Sequence, residues 1–228
     1  MRNDMSGRGI VRAVVKLGGS ALADTAHFHA ALSAIGAAAA ACPLLVVPGG
    51  GPFADAVREM DRRLRLSDDA AHWMAVLAMD QSAHLVAEHL TESVVVTSPG
   101  EIAGALGAAR VPVLAPSRWL QEADPLPHDW DVTSDSIAAW VAGCVGARRL
   151  VLIKPPGSGP YQSEGMGATG SDEQARQAAV IGLVDACFPR ALPPGIAWVI
   201  VPVDQVEALP LALGKAPARA SFSANTGR

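Results

Sequence analysis

Three stretches of the chain carry residue types that phosphoryl chemistry uses. Val14-Val15-Lys16-Leu17-Gly18-Gly19-Ser20 ends an apolar run on a lysine and two glycines. Leu44-Leu45-Val46-Val47-Pro48-Gly49-Gly50-Gly51-Pro52 ends a second run on three glycines. Asp131-Val132-Thr133-Ser134-Asp135-Ser136 sets hydroxyls and a carboxylate at the head of an Ala-rich segment. Glycine after a strand lets backbone N–H groups close on an anion with no Cβ in the way. Lysine adds a compact charge for oxygens that gain charge during transfer. A fixed cation, two glycine nests and an acid at a helix start are parts that a phosphoryl-transfer site needs.

Each part also has a plainer reading. Lys16 alone could precede an ordinary turn; the second glycine run argues against that, since three glycines are entropically costly for a plain turn. Thr133 or Ser134 suits a helix cap, and a capping segment can also hold Asp135 against a lysine ammonium. Beyond the second glycine run, Phe53 reads as core. Asp55 and Arg58 either face an acceptor, Arg58 offsetting an anion and Asp55 an ammonium, or decorate a solvated helix face.

The elements that must position these groups alternate along the chain. Strands are predicted at 11–17, 44–47, 94–97, 111–114, 150–153 and 196–201. Helices are predicted at 25–41, 53–64, 68–90, 134–145, 172–180 and 205–213, with a further helix before the strand at 111–114. The strand at 44–47 has no polar alternation, the mark of a parallel strand covered on both faces. The pattern predicts an α/β fold, a three-layer sandwich with a mainly parallel central sheet. One domain is expected over 1–213, with an acceptor-side lobe to about 130, a nucleotide-side lobe beyond it, and a frayed tail at 214–228. Residues 154–170, rich in glycine and proline, read as a loop.

Composition narrows the function classes. Half of the 228 residues are apolar and 18% are charged, so a sizeable core is available and wholesale disorder is not expected. The net charge of −4 and the lack of a basic stripe interleaved with aromatics argue against nucleic acid as partner. Cys42, Cys144 and Cys187 share no CxxC spacing and read as reduced, mostly buried thiols of a cytoplasmic protein. The histidines lack ligand spacing, so no protein-held metal is expected; His72 reads as packed or capping. No membrane span or secretion signal is expected. Gly165-Met166-Gly167-Ala168-Thr169-Gly170 has the GxGxxG spacing, but no βαβ unit frames it and it reads as coincidental. The absence of GxxxxGK[ST] argues against a P-loop enzyme.

At these residues the chain resembles the amino acid kinase superfamily, from about Val11 to Leu213. Lys16-Leu17-Gly18-Gly19-Ser20 is similar to its N-terminal lysine-glycine motif and Pro48-Gly49-Gly50-Gly51-Pro52 to its acceptor-side glycine loop. Thr133-Ser134-Asp135 resembles the segment whose aspartate orients the catalytic lysines. Within the superfamily, the segments at 51–58, 72–81 and 130–139 most resemble the small kinase family of methanofuran biosynthesis. That family phosphorylates an (aminomethyl)furan-methyl phosphate to its diphosphate. The resemblance implies ATP with Mg²⁺ as cofactors and a small phosphate acceptor, and a homo-oligomer is expected. It implies catalytic roles for Lys16 and Asp135, and nucleotide contacts from Gly18, Gly19, Ser20, Thr133, Ser134 and Lys154. Gly49, Gly50, Gly51, Asp55 and Arg58 would meet the acceptor. After Lys154 the chain departs from the superfamily's usual Asp-Val-Asp-Gly-like segment and reads Pro155-Pro156-Gly157-Ser158, with no further lysine until Lys215. Either Lys154 alone supplies the second charge, or nucleotide binding is altered. Alternatives are isopentenyl phosphate, UMP or acetylglutamate as acceptor, or a non-catalytic nucleotide-binding protein on the same fold.

Overall fold

Six runs rich in Val, Ile and Leu form the strands of one sheet in a computed structural model that describes residues 11–158 and 172–214. They are β1 (Ala13–Leu17), β2 (Leu44–Pro48), β3 (Ser93–Val96), β4 (Val111–Leu114), β5 (Arg149–Lys154) and β6 (Ala197–Pro202). The order is β3-β4-β2-β1-β5-β6, and every pairing is parallel. The helices are α1 (Thr25–Ala39), α2 (Gly51–Leu64), α3 (Asp68–His89), α4 (Pro99–Gly107), α5 (Ser117–Ala123), α6 (Ser134–Cys144), α7 (Asp172–Val180), α8 (Phe188–Ala191) and α9 (Leu209–Ala212).

Because successive strand side chains alternate between faces, each strand feeds two cores. Val14, Leu45, Leu150, Leu152 and Ile200 pack with Ile137, Ala138 and Val141 of α6 on one face. Val15, Leu17, Val46, Val151 and Ile153 pack with Phe28, Leu32 and Ile35 of α1 on the other. Lys16 lies two residues after Val14, and Lys154 two after Leu152. The period of two therefore delivers both ammonium groups to the α6 face. From β1 the chain goes first to β2 on one side and later, through α6, to β5 on the other. The crevice at the strand C-termini of such a switch point is where ligands bind in open α/β sheets.

The strands and long helices lie within a residue or two of the expected bounds, and several details differ. α2 begins at Gly51 rather than Phe53. Phe53 is 37% exposed rather than core, because α2 buries the stripe that carries Ala54 and Val57. The stretch expected to be one helix at 205–213 is a 3₁₀ segment, Val203–Ala208, followed by α9, and Gln205 is non-helical. α5 and α8 are short, each with a proline in or just before its first turn, and carry too few apolar repeats to show in the sequence. Cys42 and Cys187 are buried, but Cys144 is exposed at the end of α6. Among the described residues no helix is long and apolar enough to cross a membrane. The GxGxxG spacing at 165–170 and the tail from 215 lie outside the described residues.

Candidate active site

The ends of β1, β2 and β5 and the start of α6 meet in one cleft. Gly18 N–H donates to the Ile153 carbonyl at 2.9 Å and Gly49 N–H to the Leu17 carbonyl at 2.8 Å, so the sheet continues into both glycine loops. These two N–H groups are thereby taken up inside the protein, contrary to the expectation that Gly18 and Gly49 offer them to an anion. The first N–H groups of a helix have no intrahelical acceptor. Gly19, at the start of the 3₁₀ turn Gly19–Ala23, and Gly50 and Gly51, at the start of α2, carry such groups beside the cleft. The two loops touch: a Cβ on Gly19 would stand 2.6 Å from Gly51 N, and one on Gly49 would stand 2.9 Å from Ser134 Oγ. Glycine is required there by close approach of backbones, and Gly51 also has φ +53°.

Three charged side chains sit at the bottom of this cleft. Lys16 is 4% exposed and Asp135 3%. Lys16 Nζ lies 2.9 Å from Asp135 Oδ1, and Lys154 Nζ donates to Oδ2. The Lys16 contact is an ion pair off the hydrogen-bonding direction, so Oδ1 has no aligned donor. Burial by itself would raise the Asp135 carboxyl, but Lys16 and Lys154 outweigh it and hold it below the ordinary carboxylate value. Burial, then the neighbouring Lys16 charge, push Lys154 below the ordinary lysine value despite the attraction of Asp135. One carboxylate thus separates two ammonium groups that would otherwise repel, and aims both at the cleft. The chain has three lysines and fifteen arginines, and two of the three lysines are these.

The start of α6, and with it Asp135, is fixed by a residue not singled out in the sequence analysis. Thr133 occupies the cap position of α6, yet its side chain makes no capping bond. The cap comes from Asp185, between α7 and α8. Its Oδ2 accepts from Thr133 N–H at 3.0 Å, Thr133 Oγ1 at 2.7 Å and Ser136 N–H at 3.0 Å. Its Oδ1 accepts from Ser136 Oγ and, at 2.9 Å, from Phe188 N–H. Burial and the Asp135 charge raise the Asp185 carboxyl above its ordinary value, against the pull of the Ser136 and Thr133 donors. A single acid among the apolar residues 183–188 was the only available signal.

The cavity is about 300 Å³ and takes in Lys16, Gly19, Ser20, Gly50, Gly51, Asp55, Arg58, Thr133, Ser134, Asp135 and Lys154. Gly18 and Gly49 are not on its wall; they shape the loops behind it. Asp55 and Arg58 are at the rim and pair with each other at 2.8 Å. Trp130 and His72 also line the cavity and were not read from the sequence as site residues. The Trp130 indole donates to Asp61 Oδ2 at 2.7 Å and lies under the Arg58 guanidinium, 5.0 Å from the ring centre.

A parallel α/β sandwich with a buried Lys–Asp–Lys cluster between two glycine loops has the parts that a phosphoryl-transfer site uses. The chain belongs to the amino acid kinase family, whose model matches residues 11–155 and so includes every site residue above except Asp185. The relatives that it matches are named as kinases. It is 27% identical over 139 residues to the [5-(aminomethyl)furan-3-yl]methyl phosphate kinase of Methanocaldococcus jannaschii; the match spans 61% of this chain and 63% of that protein. Its fold is similar to that of the uridylate kinase of Archaeoglobus fulgidus, with a TM-score of 0.66 at 19% identity over 90% of this chain and 97% of the other. The UMP kinase of Ureaplasma parvum gives a TM-score of 0.63 at 14% identity, over 90% and 96% of the two chains.

Proposed function

We propose that the protein transfers the γ-phosphoryl group of ATP to a small phosphomonoester, [5-(aminomethyl)furan-3-yl]methyl phosphate, forming the diphosphate. The observation that carries this reading is the pair of lysines held on one buried carboxylate beside two glycine loops. The similarity to the Methanocaldococcus jannaschii kinase supports the choice of acceptor. Lys16 and the N–H groups of Gly19, Gly50 and Gly51 stabilise the oxygens of the transferring group. Ser20, Thr133 and Ser134 line the nucleotide side, and Lys154 faces the nucleotide phosphates. Asp135 orients both lysines. The acceptor is already an anion, so its oxygen attacks without a general base, and the transferred group passes in line from ATP to that oxygen with ADP as leaving group.

The two buried carboxylates at the site are poorly suited to hold a metal. Both oxygens of Asp135 face ammonium groups, and both oxygens of Asp185 are occupied by N–H and O–H donors. Magnesium therefore belongs to this scheme as part of the MgATP substrate, bound through the nucleotide phosphates.

Incubation with MgATP and a panel of acceptors, followed by mass spectrometry, tests the proposal. The furan phosphate is expected to give a diphosphate with stoichiometric ADP. Efficient use of UMP, isopentenyl phosphate or acetylglutamate with the furan phosphate untouched overturns the acceptor. ATP binding without turnover of any acceptor overturns catalysis.

A further inference from the structure

His72 is 8% exposed, lines the cavity, and has no side-chain hydrogen bond among the described residues. Its ring stacks on that of His128, with centroids 4.4 Å apart and planes inclined by 15°. His128 is gripped at both nitrogens: Nδ1 lies 2.7 Å from Asp69 Oδ1 and Nε2 lies 2.8 Å from Asp124 Oδ1. A neutral imidazole would turn a lone pair toward one of those carboxylates, so His128 is an imidazolium with two N–H donors. Trp73 packs edge-on against both rings and holds the stack.

We infer that His72 determines acceptor specificity, offering a neutral ring nitrogen that accepts a hydrogen bond from an ammonium group on the phosphate-bearing substrate. Burial disfavours a charge on His72, and two stacked imidazolium rings would repel at this distance, so His72 is the neutral partner of the stack. The directions agree: burial and then His128 lower the His72 value, while the hydrogen bonds of Asp124 and Asp69 outweigh burial and raise that of His128. Asp124, Asp69 and Asp129 pull the other way by charge, each less strongly than His128, and the His72 value stays lowered. His72 therefore presents a neutral acceptor, whereas Lys16 and Lys154 make the phosphate site positive. A cavity with cations at one place and a neutral acceptor at another fits a zwitterion, with phosphate at the lysines and an amine at His72. Trp130, Val76 and Met79 add aromatic and apolar wall for a flat spacer between the two charges. This inference rests on the reading that the pocket takes a phosphomonoester; it adds the side chain that recognises an ammonium group on that molecule.

The test is binding of two probes to the full chain by calorimetry: 3-(aminomethyl)benzyl phosphate and 3-methylbenzyl phosphate. The wild type is expected to favour the amine by about tenfold or more, the scale of a hydrogen bond to a charged group. In His72→Phe that ratio collapses toward unity, and in His72→Gln, which keeps an acceptor oxygen, part of it survives. His128→Phe keeps a ring on the stack but removes its charge. The His72 imidazole then titrates at a higher pH by NMR, and the preference for the amine fades at a higher pH than in the wild type. No preference in the wild type, an unchanged ratio in His72→Phe, or an unmoved His72 titration in His128→Phe overturns the inference. Turnover of the furan phosphate is measured separately. Its failure overturns the proposed acceptor, while the probe ratio still decides the role of His72.

Discussion

Replacing Asp135 by Asn keeps the size of the side chain and removes the carboxylate that Lys16 and Lys154 both contact. Breaking a buried pair by deleting one partner costs about 3–5 kcal/mol, because the remaining charge is left uncompensated. Here an upper bound follows from chemistry, since Lys154 can release its proton. Shedding it from an ordinary lysine near 10.4 at about pH 7.5 costs roughly 4 kcal/mol, at about 1.36 kcal/mol per unit. The expected loss of stability is therefore about 3–4 kcal/mol at that pH. Its pH dependence has a definite sign. In the variant the folded lysine is neutral while the unfolded one is still protonated, so the unfolded state binds more protons and stability rises with pH. Between about pH 7.5 and 9.5 the gap to wild type should narrow by up to about 2.7 kcal/mol.

On the acid side the wild-type Asp135 carboxyl lies below its ordinary value. Its contribution is complete above that ordinary value and is lost as pH falls through the folded one, so the two proteins converge in strong acid. Urea unfolding across this range measures the gap. Lysine labelled with ¹³C at Cε reports protonation directly, because three lysines give three signals. With Lys154 neutral and Lys16 unanchored, kcat should fall by about 10²–10³. A stability gap below about 1 kcal/mol, or one that stays constant with pH, would refute the buried-cluster argument.

Lys16→Met should lower kcat by about 10²–10³ with a smaller effect on KM for ATP, read by steady-state kinetics, because the charge acts mainly on the transferring group. Gly19→Ala forces a Cβ to 2.6 Å from Gly51 N, so the two loops must part. A loss of about 1–3 kcal/mol in thermal or urea unfolding is expected, with weakened phosphate binding. Asp185→Ala strips the cap of α6 and should cost about 2–3 kcal/mol of stability. Because Asp135 then loses its anchorage, kcat should fall more than KM rises, and Asp185→Asn should recover part of both; equal behaviour of the two variants would count against a positioning role.

The parallel sheet was legible because β2 is apolar without alternation, the mark of a strand buried on both faces. The loops at 18–20 and 49–51 were legible as close-packed turns at strand ends because glycine clusters there serve no ordinary turn. What the sequence left open was which N–H groups remain available, since that depends on register. Gly18 and Gly49 fall at positions where the ladder still consumes the donor, one residue short of the free helix ends. Thr133 and Ser134 looked like self-sufficient caps; that Asp185, some fifty residues away, supplies the acceptor is a tertiary fact with no local signature. The same holds for His72. A histidine near the start of an apolar helix reads as packed, and only its stacking on His128 and its place on the cavity wall separate it from that reading.

The departure after Lys154 bears on how charge is delivered. Pro155 and Pro156 follow directly, and no further lysine occurs before Lys215. The second cation at the site is therefore carried on the last residue of β5, paired to β6 in register, rather than on a loop. A strand-borne ammonium is already in place before substrate arrives, so little reorganisation is needed when charge develops. Stability alone does not explain such a cluster, because apolar residues of similar volume in place of a buried ion pair are often neutral or stabilising. Nor would arginine serve, although the chain uses it elsewhere as its main cation. A guanidinium would lock onto Asp135 through two parallel bonds, whereas an ammonium keeps donors free for a phosphate while one is engaged by the carboxylate. Lysine at both positions, with one acid between them, is the composition expected if the cluster must let go of part of its internal pairing each time a phosphoryl group passes.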